Sequence, residues 1–319
     1  MDIMDAINYK FSPIGPVPKD WKVVKLKDVT LKVTSLNASR LSEFYYVDIS
    51  SIDNQTFRII NWVHFKGSKA PSRARRLIRK DDVLFATTRP YLKNIAIVPP
   101  ELDGQICSTG FCVIRANRSI IEPLWIFYCV QTNKFVEKIS AKMKGATYPA
   151  VTDTDVLMEK IPLPPLPEQK RLAEILRTVD EGIEKVEQEI EHTERLKKGL
   201  MQRLLTRGIG HKEFKDSPIG KIPNEWEVVK LQDVTLKAKS LDASTLSEFD
   251  YVDISSIDNQ IFKITNWARL KGKQAPSRAR RLIRKGDILF ATTRPYLKNI
   301  AIVPLELDCL LYTSPSPRD

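Results

Sequence analysis

Residues 161–207 read IPLPPLPEQKRLAEILRTVDEGIEKVEQEIEHTERLKKGLMQRLLTR, and this stretch decides the architecture. Its first seven residues hold four prolines. That excludes helix and central strand, because proline fixes φ and lacks the N–H. Pro167 then suits the first turn of a helix. Leu172, Leu176, Val179, Ile183, Val186 and Ile190 follow at steps of 4, 3, 4, 3 and 4, the spacing of a coiled-coil seam. The phase slips, Leu196, Leu200 and Leu204 continue at steps of four, and Gly208 and Gly210 end the run. The pattern predicts a helix over Glu168–Thr206, 39 residues, roughly 58 Å at ~1.5 Å per residue. The six seam residues are the candidate helix-pairing set.

Outward from this helix the chain repeats itself. Ser12-Pro13-Ile14-Gly15 recurs as Ser217-Pro218-Ile219-Gly220, an offset of 205 that holds without a gap from Ser12 to Asp103. Of these 92 positions 22 differ and 70 are identical. The period is far too long for a solenoid. It is a duplicated domain with the helix between the copies.

Charge divides along the same lines. The 319 residues carry 51 Lys+Arg and 39 Asp+Glu, a net charge of +12. Residues 168–207 hold 9 basic and 9 acidic side chains, residues 1–167 hold 24 and 16, and residues 208–319 hold 18 and 14. The helix is a neutral spacer, and the repeated domains carry the basic surface that suits a polyanion such as nucleic acid. Hydrophobic residues make up 42%, enough for real cores. No apolar run approaches the ~18–20 residues of a membrane span, and Met1–Lys10 has no apolar signal core. No membrane partner and a reduced, cytoplasmic setting are expected.

Within each copy the pattern is mostly strand. Trp21–Leu26, Phe44–Ile49, Asp82–Thr87 and Ile95–Val98 are β-branched or aromatic. Residues 120–143 predict a helix with Leu124, Phe127, Tyr128, Phe135 and Ile139 on an apolar face. The expected fold is α/β (α+β): two domains of mainly antiparallel sheet joined by a long coiled-coil helix.

Chemistry-bearing motifs are scarce. The sequence has no GxxxxGK[ST], no GxGxxG, no Asn-Pro-Pro-aromatic motif and no recognisable Ser/His/Asp set. His64 is replaced by Arg269 in the second copy, which makes it a poor catalyst. Cys107, Cys112, Cys129 and Cys309 have no zinc spacing, so no metal is expected and Cys107 and Cys112 read as buried free thiols. Trp21, Trp62, Trp226 and Trp267 read as core rather than stacking platforms. No active site is expected.

The strongest polar feature is Arg73-Ala-Arg-Arg-Leu-Ile-Arg79-Lys80, repeated unchanged at Arg278–Lys285. Arg73, Arg75, Arg76, Arg79 and Lys80, with Arg278, Arg280, Arg281, Arg284 and Lys285, suit phosphate contacts and bidentate contacts to guanine. The competing reading is a solvated basic turn before a strand. Thr88, Arg89 and Lys93, with Thr293, Arg294 and Lys298, leave the next strand at a turn where they reach phosphate or base edges, or where Pro90 and Tyr91 merely close the chain.

Three motifs in order carry a resemblance. Pro18-Lys-Asp-Trp21 leads into Val-Val-Lys-Leu; Asp82-Val-Leu-Phe and Asp287-Ile-Leu-Phe290 each lead to an Arg-Pro; and Leu163-Pro-Pro-Leu-Pro-Glu-Gln169 opens the long helix. Together, over residues 12–308, they resemble the DNA specificity subunit of type I restriction-modification enzymes. The resemblance implies two target-recognition domains, each reading one half of a bipartite double-stranded DNA site. A pair of antiparallel helices relates them. It implies methyltransferase (modification) subunits that carry S-adenosylmethionine, a restriction/translocase subunit that uses ATP and Mg, and no cofactor or catalysis in this chain.

The expected domains are 1–160, the Pro-rich turn and helix at 161–210, and a second domain at 211–308 that repeats 12–103. The first copy runs on for 63 residues, 104–166, before its helix, so a C-terminal truncation is expected. Residues 309–319 match nothing at 104–114. They are similar to a translated sequencing-library adapter, so a non-native tail is expected there. A truncated chain is expected to form a homodimer through its seam. The rival readings are the recognition half of a fused restriction-methylation enzyme and a helical nucleic-acid-binding adaptor.

Overall fold

A computed structural model of the chain describes residues 9–145 and 147–305, and the backbone of 310–312. Two compact units divide between Lys197 and Lys198, within the long helix.

The first unit opens with the hairpin β1 (Tyr9–Ser12) and β2 (Gly15–Pro18), then β3 (Lys22–Lys25), the single turn α1 (Leu26–Val29) and β4 (Thr30–Leu31). There follow β5 (Glu43–Val47), β6 (Ile52–Asp53), β7 (Arg58–Ile59), β8 (Val63–Lys66) and β9 (Ala74–Leu77). Next come β10 (Val83–Ala86), β11 (Ile95–Ile97), β12 (Ile106–Ser108) and β13 (Phe111–Ala116). The helices α2 (Pro123–Gln131), α3 (Asn133–Ser140) and α4 (Asp153–Leu157), β14 (Lys160–Leu163) and α5 (Leu166–Arg207) complete the order.

One sheet has the order β11-β10-β13-β4 and is wholly antiparallel; the other has the order β8-β5-β12-β9, with β5 and β12 parallel. Every residue of β10 is buried because both faces of its sheet are covered, which is why it reads as a continuous apolar run. Val83, Phe85, Cys112 and Ile114 pack against α2 and α3 through Ile126, Val130, Phe135 and Ile139. Leu84, Ala86, Phe111 and Val113 face the second sheet at Val47 and Cys107. The layers are therefore helix, sheet, sheet, with a smaller apolar cluster of Phe44, Tyr46, Ala74 and Ile106 behind the second sheet.

The fold agrees with mainly antiparallel sheet plus a long helix, and differs in detail. The stretch read as one helix over 120–143 is two. Thr132 breaks it: its Oγ1 donates to the Cys129 carbonyl at 2.8 Å and accepts from Phe135 N–H at 3.4 Å, capping the second helix. The long helix has 42 residues. Of its seam, Leu172 packs against the core, whereas Leu176, Val179, Ile183, Val186 and Ile190 are exposed. No described helix is long and apolar enough to cross a membrane.

The motif that opens α5 is a structural clamp. Gln169 is fully buried; its Nε2 donates to the carbonyls of Pro164 (2.8 Å) and Ile120 (3.2 Å), and its Oε1 accepts from Glu122 N–H (2.9 Å). Glu168 accepts from Trp21 Nε1 at 3.2 Å, and Trp21 meets the edge of Trp125 with ring centroids 5.7 Å apart. Further along, Arg58 pairs with Glu184, and the Tyr128 hydroxyl donates to Asp180 at 2.7 Å. Burial, then Asp180, pushes that phenol's pKa up.

The second unit repeats the second sheet as β20-β17-β24-β21: β17 (Glu248–Val252), β20 (Ala268–Lys271), β21 (Arg281–Ile283) and β24 (Leu310–Tyr312). Short pairs flank it: β15 (Phe214–Ser217) with β16 (Gly220–Pro223), β18 (Ile257–Asp258) with β19 (Lys263–Ile264), and β22 (Ile288–Phe290) with β23 (Ile300–Ile302). Of the expected foreign tail, Leu310–Tyr312 holds the place that β12 holds in the first unit, parallel to β17. Cys309 and residues 313–319 lie outside the described residues. The helical layer has no counterpart among the described residues, and the apolar groups it covers in the first unit are bare here. Leu231 is 79% exposed where Leu26 is 0%, and Phe290 is 52% exposed where Phe85 is 0%.

Candidate nucleic-acid interface

The strand that carries the basic run divides it. Arg73 and Arg75 lie at the start of the edge strand β9, and both are exposed. Arg73 accepts Thr109 N–H on its carbonyl at 2.9 Å, and Gly110 of the same turn accepts Thr87 N–H at 2.8 Å. Arg73 and the segment Thr87–Arg89 therefore flank one turn. Thr88 bridges to Ala150, and Arg89 N–H donates to the Pro149 carbonyl at 2.9 Å, so the backbone near 150 borders the same place.

At the other end, Arg79 and Lys80 donate their backbone N–H groups to Asp82 and Asp103, both at 2.8 Å. Arg115 closes on Asp82 through Nε (2.9 Å) and Nη2 (2.6 Å) in a buried pair; that hydrogen bond raises the Arg115 pKa. Three acids, Asp81, Asp82 and Asp103, share this pocket with Arg79 and Lys80. The single cluster expected from sequence is thus two clusters, and at the second the acids Asp82 and Asp81 pair with Arg115 and Arg118 rather than with the Arg79 and Lys80 side chains.

Individual roles separate further. Arg76 pairs with Asp153 on α4, and Lys93 Nζ donates to Asn133 Oδ1 at 2.6 Å; both tie elements together. Arg75 Nε donates to the Ser72 carbonyl at 2.9 Å. Arg73 and Arg89 form no ion pair with any described carboxylate. Arg89 and Lys93 hold left-handed backbone, φ 48° and 54°, a strained state for non-glycine residues. The second unit repeats it at Arg294 and Lys298, φ 50° and 54°. There Thr293 and Arg294 line an open cleft of about 670 Å³ with Asp258 and Asn259. Arg278, Arg280, Arg281, Arg284 and Lys285 are all exposed; Arg280 Nε donates to Ser277 at 3.0 Å and Arg284 N–H to Asp287 at 2.8 Å.

Sequence reasoning missed an outward face on β5 and β8. Tyr45 and His64 sit opposite each other there, with ring centroids 5.4 Å apart. Trp62 beside them is 40% exposed, and Trp267 is also exposed, which corrects their assignment to the core. Three aromatics in a row, Phe44-Tyr45-Tyr46, hide the alternation that buries the first and third and presents the second. Cys107, Cys112 and Cys129 are buried free thiols, their pKa values pushed up by burial. Among the described residues no group of His, Cys, Asp or Glu is placed to hold a metal ion.

A duplicated α+β domain with a basic edge and a long helix whose apolar seam is bare defines a class of binding proteins. Residues 18–195 match the type I restriction modification DNA specificity domain, and the chain belongs to that family. It is 31% identical over 233 residues to a Methanocaldococcus jannaschii protein named for the specificity subunit of the type I restriction enzyme MjaX, covering 70% of this chain and 55% of that protein. It is 30% identical over 291 residues to the MjaVIII specificity subunit of the same organism, covering 88% and 65%. The chain thus spans a little over half to two thirds of these relatives. The HsdS subunit from Thermoanaerobacter tengcongensis superposes with a TM-score of 0.53 at 33% identity, over 93% of this chain and 74% of that one. A chain from a type I R-M system, solved for its complex assembly and conformational transition, gives 0.56 at 34%, over 97% and 78%.

Proposed function

We propose that this chain is the DNA-reading specificity subunit of a type I restriction-modification system. Each unit binds one half of a bipartite duplex site, and the chain catalyses nothing itself. One observation carries this reading. The same cationic edge occurs in both units, and in the first Arg73 and Arg89 flank a single turn without a described acidic partner. Cations left uncompensated at a strand edge suit phosphates, whose neutralisation releases counterions. The bare seam of α5 supports pairing with a second helix. Methyltransferase and restriction/translocase subunits are the partners, and S-adenosylmethionine, ATP and Mg act on those partners. A cytoplasmic site of action fits such a role.

The test is duplex binding as a function of salt. The expected result is affinity that falls steeply with salt. Arg73→Ala and Arg89→Ala should each weaken binding to all sequences alike and lower the salt slope by about 1. Binding indifferent to salt, or to both substitutions, would contradict the reading.

A further inference from the structure

The molecule contains its own comparison, because two copies of one fold differ at few positions. Of the 22 substitutions between residues 12–103 and 217–308, ten fall at 16–40, nine at 45–69 and three at 70–103. The segment holding the basic run and the Thr-Thr-Arg-Pro turn is therefore almost constant. One of its three changes has a structural reason, since Asp81, at φ 68°, becomes Gly286 at φ 84°, and a second, Val83 to Ile288, keeps the apolar character. Phosphates are the same in every sequence, so residues that hold phosphate have no reason to differ between copies. Residues that read base edges do.

The β5/β8 face behaves as base-reading residues should. Tyr45 lies opposite His64 in the first unit, and Asp250 lies opposite Arg269 at the matching register in the second. Both members of the pair change together, from two aromatic rings to two opposite charges. Tyr45 is 41% exposed and the Arg269 side chain 68% exposed, so no core packing demands the exchange. A glutamate common to both copies steadies each version: His64 Nε2 lies 3.3 Å from Glu43, and Arg269 Nη2 lies 2.9 Å from Glu248. The neighbours change too, Val63 to Ala268 and Ile60 to Thr265, while the exposed Trp62 and Trp267 stay.

We infer that the Tyr45–His64 and Asp250–Arg269 pairs determine where the two half-sites differ, an inference that rests on the DNA-reading function proposed above. Arg269 offers a fork of donors to guanine O6 and N7, and Asp250 accepts from the cytosine amino group, so the second unit takes a G·C pair. The first unit has no such fork; its Tyr45 ring lies against a thymine methyl, so it takes an A·T pair.

The experiment selects bound duplexes from a random pool with the full chain and with two exchange variants. One is Asp250→Tyr with Arg269→His, the other Tyr45→Asp with His64→Arg. Each exchange should replace the base pair at one position of one half-site, G·C to A·T or the reverse, and so make the two half-sites alike. Arg269→Ala alone provides a second measurement, with preference for G·C at that position falling about tenfold or more. Circular dichroism and binding at low salt verify that each variant is folded. Unchanged motifs in the folded variants would overturn the inference while leaving DNA reading intact. A wild-type chain that binds no duplex would overturn both.

Discussion

Gln169 is a polar side chain at full burial, and its three backbone partners lie 5, 47 and 49 residues away. Gln169→Ala leaves a buried N–H and two carbonyls without partners, so it should destabilise the first unit by about 2–3 kcal/mol, read as a lowered midpoint in urea. A variant as stable as wild type would show that water replaces the amide. The side chain is legible in the sequence only as part of a motif, because none of its partners can be found by local spacing. The arginine run teaches the converse. It reads as one cluster along the chain, yet a strand of four residues places Arg73 and Arg79 at opposite ends, and one end lies beside the acids Asp81, Asp82 and Asp103. Asp81 adds a smaller test. Its left-handed φ makes Asp81→Gly tolerable, as the second copy demonstrates with Gly286, whereas Asp81→Val should cost about 1–2 kcal/mol.

At the scale of elements, the long helix was the most legible part, because periodicity over many turns is a strong signal. Val179 and Ile183 are each more than half exposed, on a helix where Arg195 pairs with Glu191 one turn away. A seam of branched apolar side chains in water favours a partner helix. The full chain should therefore self-associate in sedimentation, and Val179→Asp with Ile183→Asp should abolish that association without loss of helix content. A wild-type chain that sediments as a monomer at tens of micromolar would contradict it. The break at Thr132 was missed because Tyr128 and Phe135, seven residues apart, keep one helical face across the polar stretch Gln131–Lys134; the cap contacts of the threonine hydroxyl decide that the helix stops.

For the whole molecule, the repeat made the two-unit plan legible but not the unequal packing of its copies. Leu26, Val29, Val83 and Phe85 are buried in the first unit, and their counterparts Leu231, Val234, Ile288 and Phe290 are exposed in the second. Each forgoes about 1.5–3 kcal/mol of burial. Limited proteolysis should remove residues beyond about 210 first and leave the first unit intact; equal protection of both units would contradict this. Similar units should read similar bases. The paired antiparallel helices that the family resemblance implies predict half-sites that are inverted copies about 10 bp apart.

The methylated motif of the host genome, mapped with and without this gene, decides whether the two units read inverted half-sites. The expected motif is gene-dependent and interrupted, its two halves inverted copies that differ at one base pair, G·C in one and A·T in the other. Two unrelated half-sites, or a methylation pattern indifferent to the gene, would contradict it.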